Sequence, residues 1–506
     1  MLQIQLADLT LEAFGKYLSG ILKKLVAKLV NTSLETCNCS QLTTPVCKKL
    51  EKMIQEYVPT NLANLVTEIL MGYILMTYNN FERDLSKKRR KGRKSLKQLS
   101  TCYKHITTSL CSAVLHPSVN TFKFSRLQFP QVNHLEAKIF TNYFLSVILK
   151  KLSHIRCLKL EIYKFNEQII QRNIKMFENL EELVFFGCSD AVMEVISNSC
   201  RKLRSIDLSN SARITHSSVD SILRLRNLEH LKILRTDIRS EGIELLFHGD
   251  SNFKEFNSLY CFLEPHHLEL VPKSFSNLST LEFCVHERYS LLPLKGLKNL
   301  KNLGIFFTVI HGYSAIDFKE FLQSIGPQLI SLKLHDFREA EFIDIFGIIA
   351  ENCTRLENLI LKIVAFYISY EESDLAPALS IPVMSSVKFC SLTVSYTILL
   401  KALLPKLVNV KILKCTSYDQ MYVPFVMELL SEMKNNKYDK LILGNSSFQV
   451  SGDNVVVRKC NGSYIFAQRD DNMLKNVLED IQDMRTFDFG ADCFQEIAKY
   501  FYSNYL

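Results

Sequence analysis

The sequence predicts an α/β fold: a curved solenoid of stacked strand-and-helix repeats behind an all-α N-terminal module. Three observations predict it. From about residue 118 onward one local phrase keeps returning: an apolar residue, two others, an apolar residue, one other and an apolar residue. Leu180-Glu-Glu-Leu183-Val-Phe185 and Leu228-Glu-His-Leu231-Lys-Ile233 are two copies. The middle apolar residue steps regularly, at 158, 183, 206 and 231 and again at 281, 303, 332 and 359, with intervals of 22 to 29 residues. Residues 1–80, by contrast, carry helical apolar spacing without the phrase.

The alternating end of each phrase makes a short strand. Its apolar side chains point into the coil and the residues between them face out. The remainder of a repeat carries helical spacing, as in 191–198, 220–225 and 318–325. No unit can bury its own core, so stacking is obligatory. Further copies are built on Ile155/Leu158/Leu160, Leu203/Ile206/Leu208, Leu278/Leu281/Phe283, Leu300/Leu303/Ile305, Leu329/Leu332/Leu334 and Leu356/Leu359/Leu361. Leu407/Val410/Ile412 and Tyr438/Leu441/Leu443 follow. A repeat of this length and core is the leucine-rich-repeat signature, which makes 118–506 a horseshoe of roughly a dozen units.

Three stretches break the rhythm. Phe253–Phe262 reads as a degenerate copy, and Val364–Ser386 is longer than the convex side of one repeat requires. In 449–467, Val455–Val457 and Tyr464–Phe466 flank Asn461-Gly462, the strongest short hairpin signal. A hairpin insertion is expected there, with a final repeat on Met484/Phe487/Phe489.

One copy is fuller than the minimum: Cys200-x2-Leu203-x2-Ile206-x-Leu208-x2-Ser211-x2-Ile214-Thr215-x3-Val219. It resembles the cysteine-containing repeat of F-box proteins. Cys353 opens another copy, and Cys188 and Cys415 take its post-strand position. The resemblance implies that these thiols pack inside the coil.

The domain boundaries expected from the sequence are a helical module at 1–82, a basic linker with a connecting helix at 83–117, and the repeats from 118 to 506. In the module, Leu6, Leu9, Phe14, Tyr17, Leu18 and Leu22 share one helix face, and Leu62, Leu65, Val66, Ile69 and Leu70 another. Pro59 sits where a helix starts. The segment Gln5-Leu6-x2-Leu9-Thr10-x3-Phe14 resembles the elongin-C-binding box of ubiquitin-ligase receptors: a small residue, Leu, three others, Cys, three others and an aliphatic. It departs from that box at Gln5, Thr10 and Phe14, and a hydroxyl at Thr10 would need a partner where the family buries its Cys. Val58-Pro59-x2-Leu62-x3-Val66 resembles the cullin-selecting box.

Together the two boxes are similar to the N-terminal von Hippel–Lindau box of zyg-type leucine-rich-repeat receptors. Val58-Pro59-x2-Leu62-x7-Leu70, with Leu96-x2-Leu99-x2-Cys102 further on, also resembles an F-box whose halves are separated and whose Trp is missing. Either resemblance implies the substrate receptor of a cullin–RING ubiquitin ligase. Its partner would be elongin C plus a cullin, or an F-box adaptor. A helix pair packed for its own sake accounts for the same apolar positions.

The net charge of +9 is concentrated: Lys87, Lys88, Arg89, Arg90, Lys91, Arg93 and Lys94 supply seven positive charges. Without that run the chain is close to neutral, and the solenoid is not a nucleic-acid surface by composition. The run reads as a solvated linker, a nuclear localisation signal or a polyanion contact. No aromatics are interleaved, so single-strand stacking is not expected.

Asp8 and Glu12 interrupt the first apolar residues, and Leu65–Tyr78 is too short to span a bilayer. The expected location is therefore cytoplasm and/or nucleus, with the 15 cysteines as thiols. Phosphate-cradling G-x-x-x-x-G-K-[ST] and G-x-G-x-x-G loops are missing, as are H-E-x-x-H and G-x-S-x-G. Cys37-Asn-Cys39 with Cys47 lacks a fourth ligand at zinc spacing, and adjacent His266 and His267 would face different ways.

A non-enzymatic scaffold without cofactor or metal is the expectation. Its partner is a protein on the concave face, presented to Glu182, Phe186, Asp207, His230, Lys232, Lys333, His335, Lys362 and Lys411. The alternative is a repeat scaffold with no ubiquitin-ligase role.

Overall fold

The structure is a computed structural model. It describes residues 39–89, 95–125, 134–249 and 253–417, with breaks at 163–164, 287–288, 309–314, 339–341, 365–375 and 395–396. Short stretches between 428 and 468 and the isolated positions Gly20 and Lys24 are also described. The chain divides into two compact units, residues 1–306 and 307–506.

The first unit begins with helices α1 (Cys39–Tyr57), α2 (Ala63–Arg89) and α3 (Ser95–Ala113). Leu50 and Ile54 of α1, Leu70 and Ile74 of α2, and Ile106 and Leu110 of α3 recur at helical spacing and are buried. Each helix thus commits one apolar face to a shared core. Tyr78 stacks on Tyr103 at 5.7 Å between ring centroids and on Phe140 of α4 (His134–Ile148) at 4.4 Å. Such pairs add about 0.5–1.5 kcal/mol each beyond the area they bury.

The helices also cover the start of the first strand. Asn64 Nδ2 donates to Asn120 Oδ1 at 2.6 Å, and Asn64 Oδ1 accepts from the backbone N–H of Asn120 at 3.0 Å and of Thr121 at 3.3 Å. Those donors sit on an edge that would otherwise be open to pairing. The helical module therefore caps the repeat array.

Seven strands follow: β1 (Thr121–Ser125), β2 (Cys157–Glu161), β3 (Glu182–Phe185), β4 (Ser205–Asp207), β5 (His230–Lys232), β6 (Glu255–Leu263) and β7 (Thr280–His286). Each pairs in parallel with the next. The register sets Phe122, Leu158, Leu183, Ile206, Leu231, Phe256 and Leu281 side by side. All are at most 3% exposed. Burying one such side chain stabilises by about 1.5–3 kcal/mol, and the column runs through every repeat of the unit. Between the strands the chain returns through helices such as α5 (Glu167–Ile174) and α6 (Asp190–Ser199).

The turn after three successive strands needs left-handed backbone. Gly187 has φ 73°, Asn210 57° and Arg235 56°. Glycine adopts this freely and asparagine tolerates it, whereas arginine does so at a cost. Ser211, fully buried, bridges two repeats there: its Oγ accepts from the Cys188 N–H at 3.0 Å and donates to the Phe185 carbonyl at 3.2 Å.

β8 (Asn302–Thr308) lies at the boundary between the units. The second unit repeats the plan with β9 (Ser331–Arg338), β10 (Asn358–Val364), β11 (Phe389–Val394), β12 (Ile412–Ser417) and β13 (Lys440–Leu443). They too pair in parallel, and Leu332, Leu359, Cys390, Leu413 and Leu441 form the inward column, each fully buried. The fold is an α/β leucine-rich-repeat solenoid.

Beyond β13 the pairing changes to antiparallel, through β14 (Ser446–Ser451), β15 (Asn454–Lys459) and β16 (Tyr464–Gln468). The expected hairpin segment therefore lies in an antiparallel run that continues from β13, with Val457 opposite Ile465 across its last pair. Asn461-Gly462 and the Met484/Phe487/Phe489 repeat lie outside the described residues.

The Phe253–Phe262 copy is degenerate as expected: Phe253 and Phe256 fill two leucine positions at 1% and 0% exposure, but Ser258 takes the third and the register with β7 shifts after Asn257. Three readings need correction. A further copy, Val387-x2-Cys390-x-Leu392, follows the long 364–386 stretch and was hidden by Val and Cys in place of Leu. The Leu407/Val410/Ile412 phrase is set three residues early. Val410 is the first apolar position, and Leu413 and Cys415 are the inward pair on β12. Cys415 is accordingly a strand residue, not a post-strand one. The 82/83 boundary falls inside α2, which continues to Arg89 since lysine and arginine are good helix formers.

Candidate functional site

Two surfaces carry the expected site residues, and each is set by the local fold. At the N-terminal module, Val58 is half-buried, Pro59 is exposed and Leu62 is 37% exposed, while Val66 turns into the helical core. Pro59 has extended backbone, which suits the residue before the first helical turn at Thr60–Leu62. The apolar character runs on along α2, through Leu65 (47% exposed), half-buried Ile69 and Met76 (53% exposed). These positions are four and seven residues apart, so they share a face. Gly72 lies between them, and a Cβ there would meet nothing. Leu6, Leu9, Thr10 and Phe14 lie outside the described residues. Lys87, Lys88 and Arg89 belong to the end of α2, and Arg90, Lys91, Arg93 and Lys94 lie outside the described residues.

The second surface is the outward face of the strands, opposite the buried columns. In the first unit it is a lattice of ion pairs between neighbouring strands. Lys159 meets Glu182 at 2.7 Å, His230 and Lys232 meet Glu255 at 3.0 and 2.9 Å, and Asn257 donates to Glu282 at 2.7 Å. One position earlier, Arg156 grips Glu181 through Nε and Nη2 at 2.9 and 2.8 Å. Arg204 and Lys254 share Glu229, both at 2.9 Å. Lys254, with Arg204, holds the Glu229 carboxyl below its ordinary value. At Glu182 burial opposes ionisation, but hydrogen bonds from Lys159 and Cys157 outweigh it and the carboxyl stays low. Asp207 accepts from the Ser209 N–H at 2.9 Å, and Phe186 follows β3, half-buried. A shallow cavity of about 500 Å³ lies along this row between Arg156, Arg204, Arg226 and Lys202.

In the second unit the outward residues differ in kind. Register puts Asn358, Phe389, Ile412 and Lys440 side by side, and Ile360, Ser391, Lys414 and Ile442 two residues on. Phe389, Ile360, Ile412 and Ile442 are half-buried on a face where polar residues are usual. Lys362 and, at the strand entrances, Lys388 and Lys411 are exposed. Among the described residues the lysines of this face and its strand entrances are Lys333, Lys362, Lys388, Lys411, Lys414 and Lys440, against the acids Asp336, Glu357 and Asp439. Glu357 pairs with Lys388 at 2.8 Å. A cavity of about 590 Å³ opens at the strand entrances between Arg355, Lys388 and Lys411, with Ser385, Ser386 and Asn409.

His335 sits at a bulge in β9: Lys362 faces His335, and Ile363 faces Phe337, leaving Asp336 as the extra residue with φ 61°. Burial, with Lys362 and Lys333 nearby, pushes the His335 imidazole down to about 4, so it is neutral at pH 7.

The structure thus brings the expected Glu182, Asp207, His230 and Lys232 onto one face and Lys333, His335, Lys362 and Lys411 onto another. Reading the sequence missed Glu255, Glu282, Phe389 and Lys414. The first two lie on β6 and β7, and the last two on β11 and the misplaced β12. Counting forward from each inward residue once the register is known finds all four.

Among the described residues no cluster of three His, Cys, Asp or Glu is arranged to hold a metal ion. No helix among them is long and apolar enough to cross a membrane.

No family model matches the chain, and no curated protein matches it. Solved structures do. Yeast Rad7, in a complex with Elc1, is 14% identical with a TM-score of 0.36, covering 75% of this chain and 79% of that one. A leucine-rich-repeat protein of Leptospira interrogans is 15% identical with a TM-score of 0.28, covering 52% and 67%. An internalin of Listeria monocytogenes is 13% identical with a TM-score of 0.27, covering 54% and 78%.

Proposed function

We propose that the chain is a non-catalytic protein-recognition scaffold, and specifically the substrate-binding receptor of a cullin–RING ubiquitin ligase, working in the cytoplasm or nucleus. The observation that carries the reading is the exposed apolar stripe that starts at Pro59 and Leu62 and continues through Leu65 to Met76. An apolar helix face left to solvent in a capped, well-packed module is a docking surface in waiting. It begins where the sequence resembles a cullin-selecting box. The outward strand faces would hold the target, and the scaffold would raise its effective concentration beside the ligase.

The test is co-purification of the full chain with elongin B/C plus a cullin and, separately, with an F-box adaptor. Retention of elongin B/C and the cullin is expected, with the cullin lost in Leu62→Asp/Leu65→Asp and elongin C lost in Leu6→Asp/Thr10→Asp. Retention of the F-box adaptor instead would make the module an F-box. If a folded full chain holds neither adaptor, the ligase reading fails.

A second reading, a repeat scaffold with no ligase role, is favoured by Asn64. Its hydrogen bonds to Asn120 and Thr121 give the helices a structural task, capping β1, that needs no adaptor.

A further inference from the structure

We propose that the outward face of the second unit, over β10 to β12, takes an acidic, apolar-bearing segment of another protein. The proposal rests on the reading of the chain as a protein-recognition scaffold and adds to it a place and a partner chemistry.

Charge argues first. In the first unit Glu182, Glu229 and Glu255 are spent on bases of neighbouring repeats at 2.7 to 3.0 Å, while Asp207 and Glu282 accept from the Ser209 N–H and the Asn257 amide. A partner landing there must break or desolvate those pairs, which cancels most of what it could gain. Among the described residues of the second unit the balance tips to the bases: six lysines stand against Asp336, Glu357 and Asp439. A surplus of one sign attracts and orients a segment of the other sign.

The apolar side chains argue next, and they decide the kind of anion. Phe389 and Ile412 are directly opposite each other, and Ile360 lies on the strand beside Phe389. All three are half-buried and none has moved into the core columns. Around them the register places Lys388 and Lys411 one residue before the pair, and Lys362 and Lys414 two residues after Ile360 and Ile412. An apolar centre ringed by charge is the anatomy of a protein interface, where the centre supplies the affinity and the rim the orientation. A nucleic acid would use the lysines and stack a base on Phe389 at best, but it would leave Ile360 and Ile412 uncompensated. The cavity between Arg355, Lys388 and Lys411 at the strand entrances is also lined by Glu357, which holds Lys388, and leaves Arg355 and Lys411 as a second foothold for a carboxylate.

The experiment selects short random peptides from a displayed library against the full chain. Enrichment of sequences that interleave Asp or Glu with aliphatic or aromatic residues is expected. The selected peptides should bind Lys362→Glu/Lys414→Glu and Ile412→Ser each roughly tenfold more weakly, a loss of about 1.4 kcal/mol. Binding to the first-unit variant Lys159→Glu should be unchanged. A thermal melt of each variant shows that it is folded. Enrichment of neutral or basic peptides, or binders indifferent to the second-unit changes, overturns the proposal while leaving protein recognition intact. Equal competition by an oligonucleotide, with no effect of Ile412→Ser, also overturns it and makes the face a polyanion surface. If no peptide is enriched anywhere on the chain and no adaptor is retained, the scaffold reading itself falls.

Discussion

Across β2 to β7 Glu182, Glu229 and Glu255 each reach a base of a neighbouring repeat, whereas across β9 to β13 lysines stand beside half-buried isoleucines and a phenylalanine. The inward columns of the two regions do not differ in this way; both are rows of fully buried Leu, Ile, Phe or Cys. The contrast separates two jobs that one repeat performs. Inward positions answer to packing, which is alike in every repeat, and outward positions answer to whatever the face must meet. A face that neutralises itself stiffens the array, and a face with surplus charge and exposed apolar groups is left for a partner.

The largest expected effects test the common part. Leu231→Ala in the first unit and Leu359→Ala in the second should each cost about 2–5 kcal/mol, because both leave a cavity in a closed column. Chemical denaturation measures this, and a much smaller loss in either unit would break the claim that the columns are equivalent.

Next come the faces. Glu229→Ala removes the carboxylate shared by Arg204 and Lys254. It should cost about 0.5–1 kcal/mol at low salt, shrinking as ionic strength rises, because the pairs are partly exposed. Lys414→Ala in the second unit should change stability by less than about 0.5 kcal/mol. Equal losses at the two positions would erase the difference between the faces.

pH sharpens the comparison. The His335 imidazole is held down to about 4 in the fold, below its ordinary value, by burial and by Lys362 and Lys333. The unfolded chain therefore binds the proton first, so this contribution to stability is present above about pH 6.5 and is lost as pH falls toward 4. His335→Gln should flatten the pH dependence of unfolding in that window. Asp190 in the first unit points to a lower window. Burial opposes its ionisation, but hydrogen bonds from Ser218 and Thr215 prevail and hold its carboxyl below the ordinary value. Its contribution is present above the ordinary carboxylate range and is lost as pH drops through the lowered value.

The smallest effect is at the repeated turn. Arg235→Gly relieves left-handed backbone at φ 56° and should raise stability by up to about 1 kcal/mol. Gly187→Ala at the equivalent turn should lower it by a similar amount.

The periodic phrase, its spacing of 22 to 29 residues and its strand-and-helix content were legible in the order of residues alone. So were the helical character of residues 39–80 and the outward placement of Glu182, His230, Lys232 and Lys362. The cause is local: alternation and helical spacing are properties of neighbouring residues, and burial of the alternate set follows from them. Three things were decided only by the tertiary structure. Phe253, Phe256 and Cys390 proved to be column residues because the space between neighbouring repeats accepts any apolar side chain of fitting volume, which no leucine template states. Asn64 became the cap of β1 because the fold brings it to Asn120, 56 residues away. The pairing of charges was decided there as well. Which lysine meets which glutamate depends on a register between strands some 25 residues apart, and a charge's partner, unlike its side of the strand, is set by its neighbours in space.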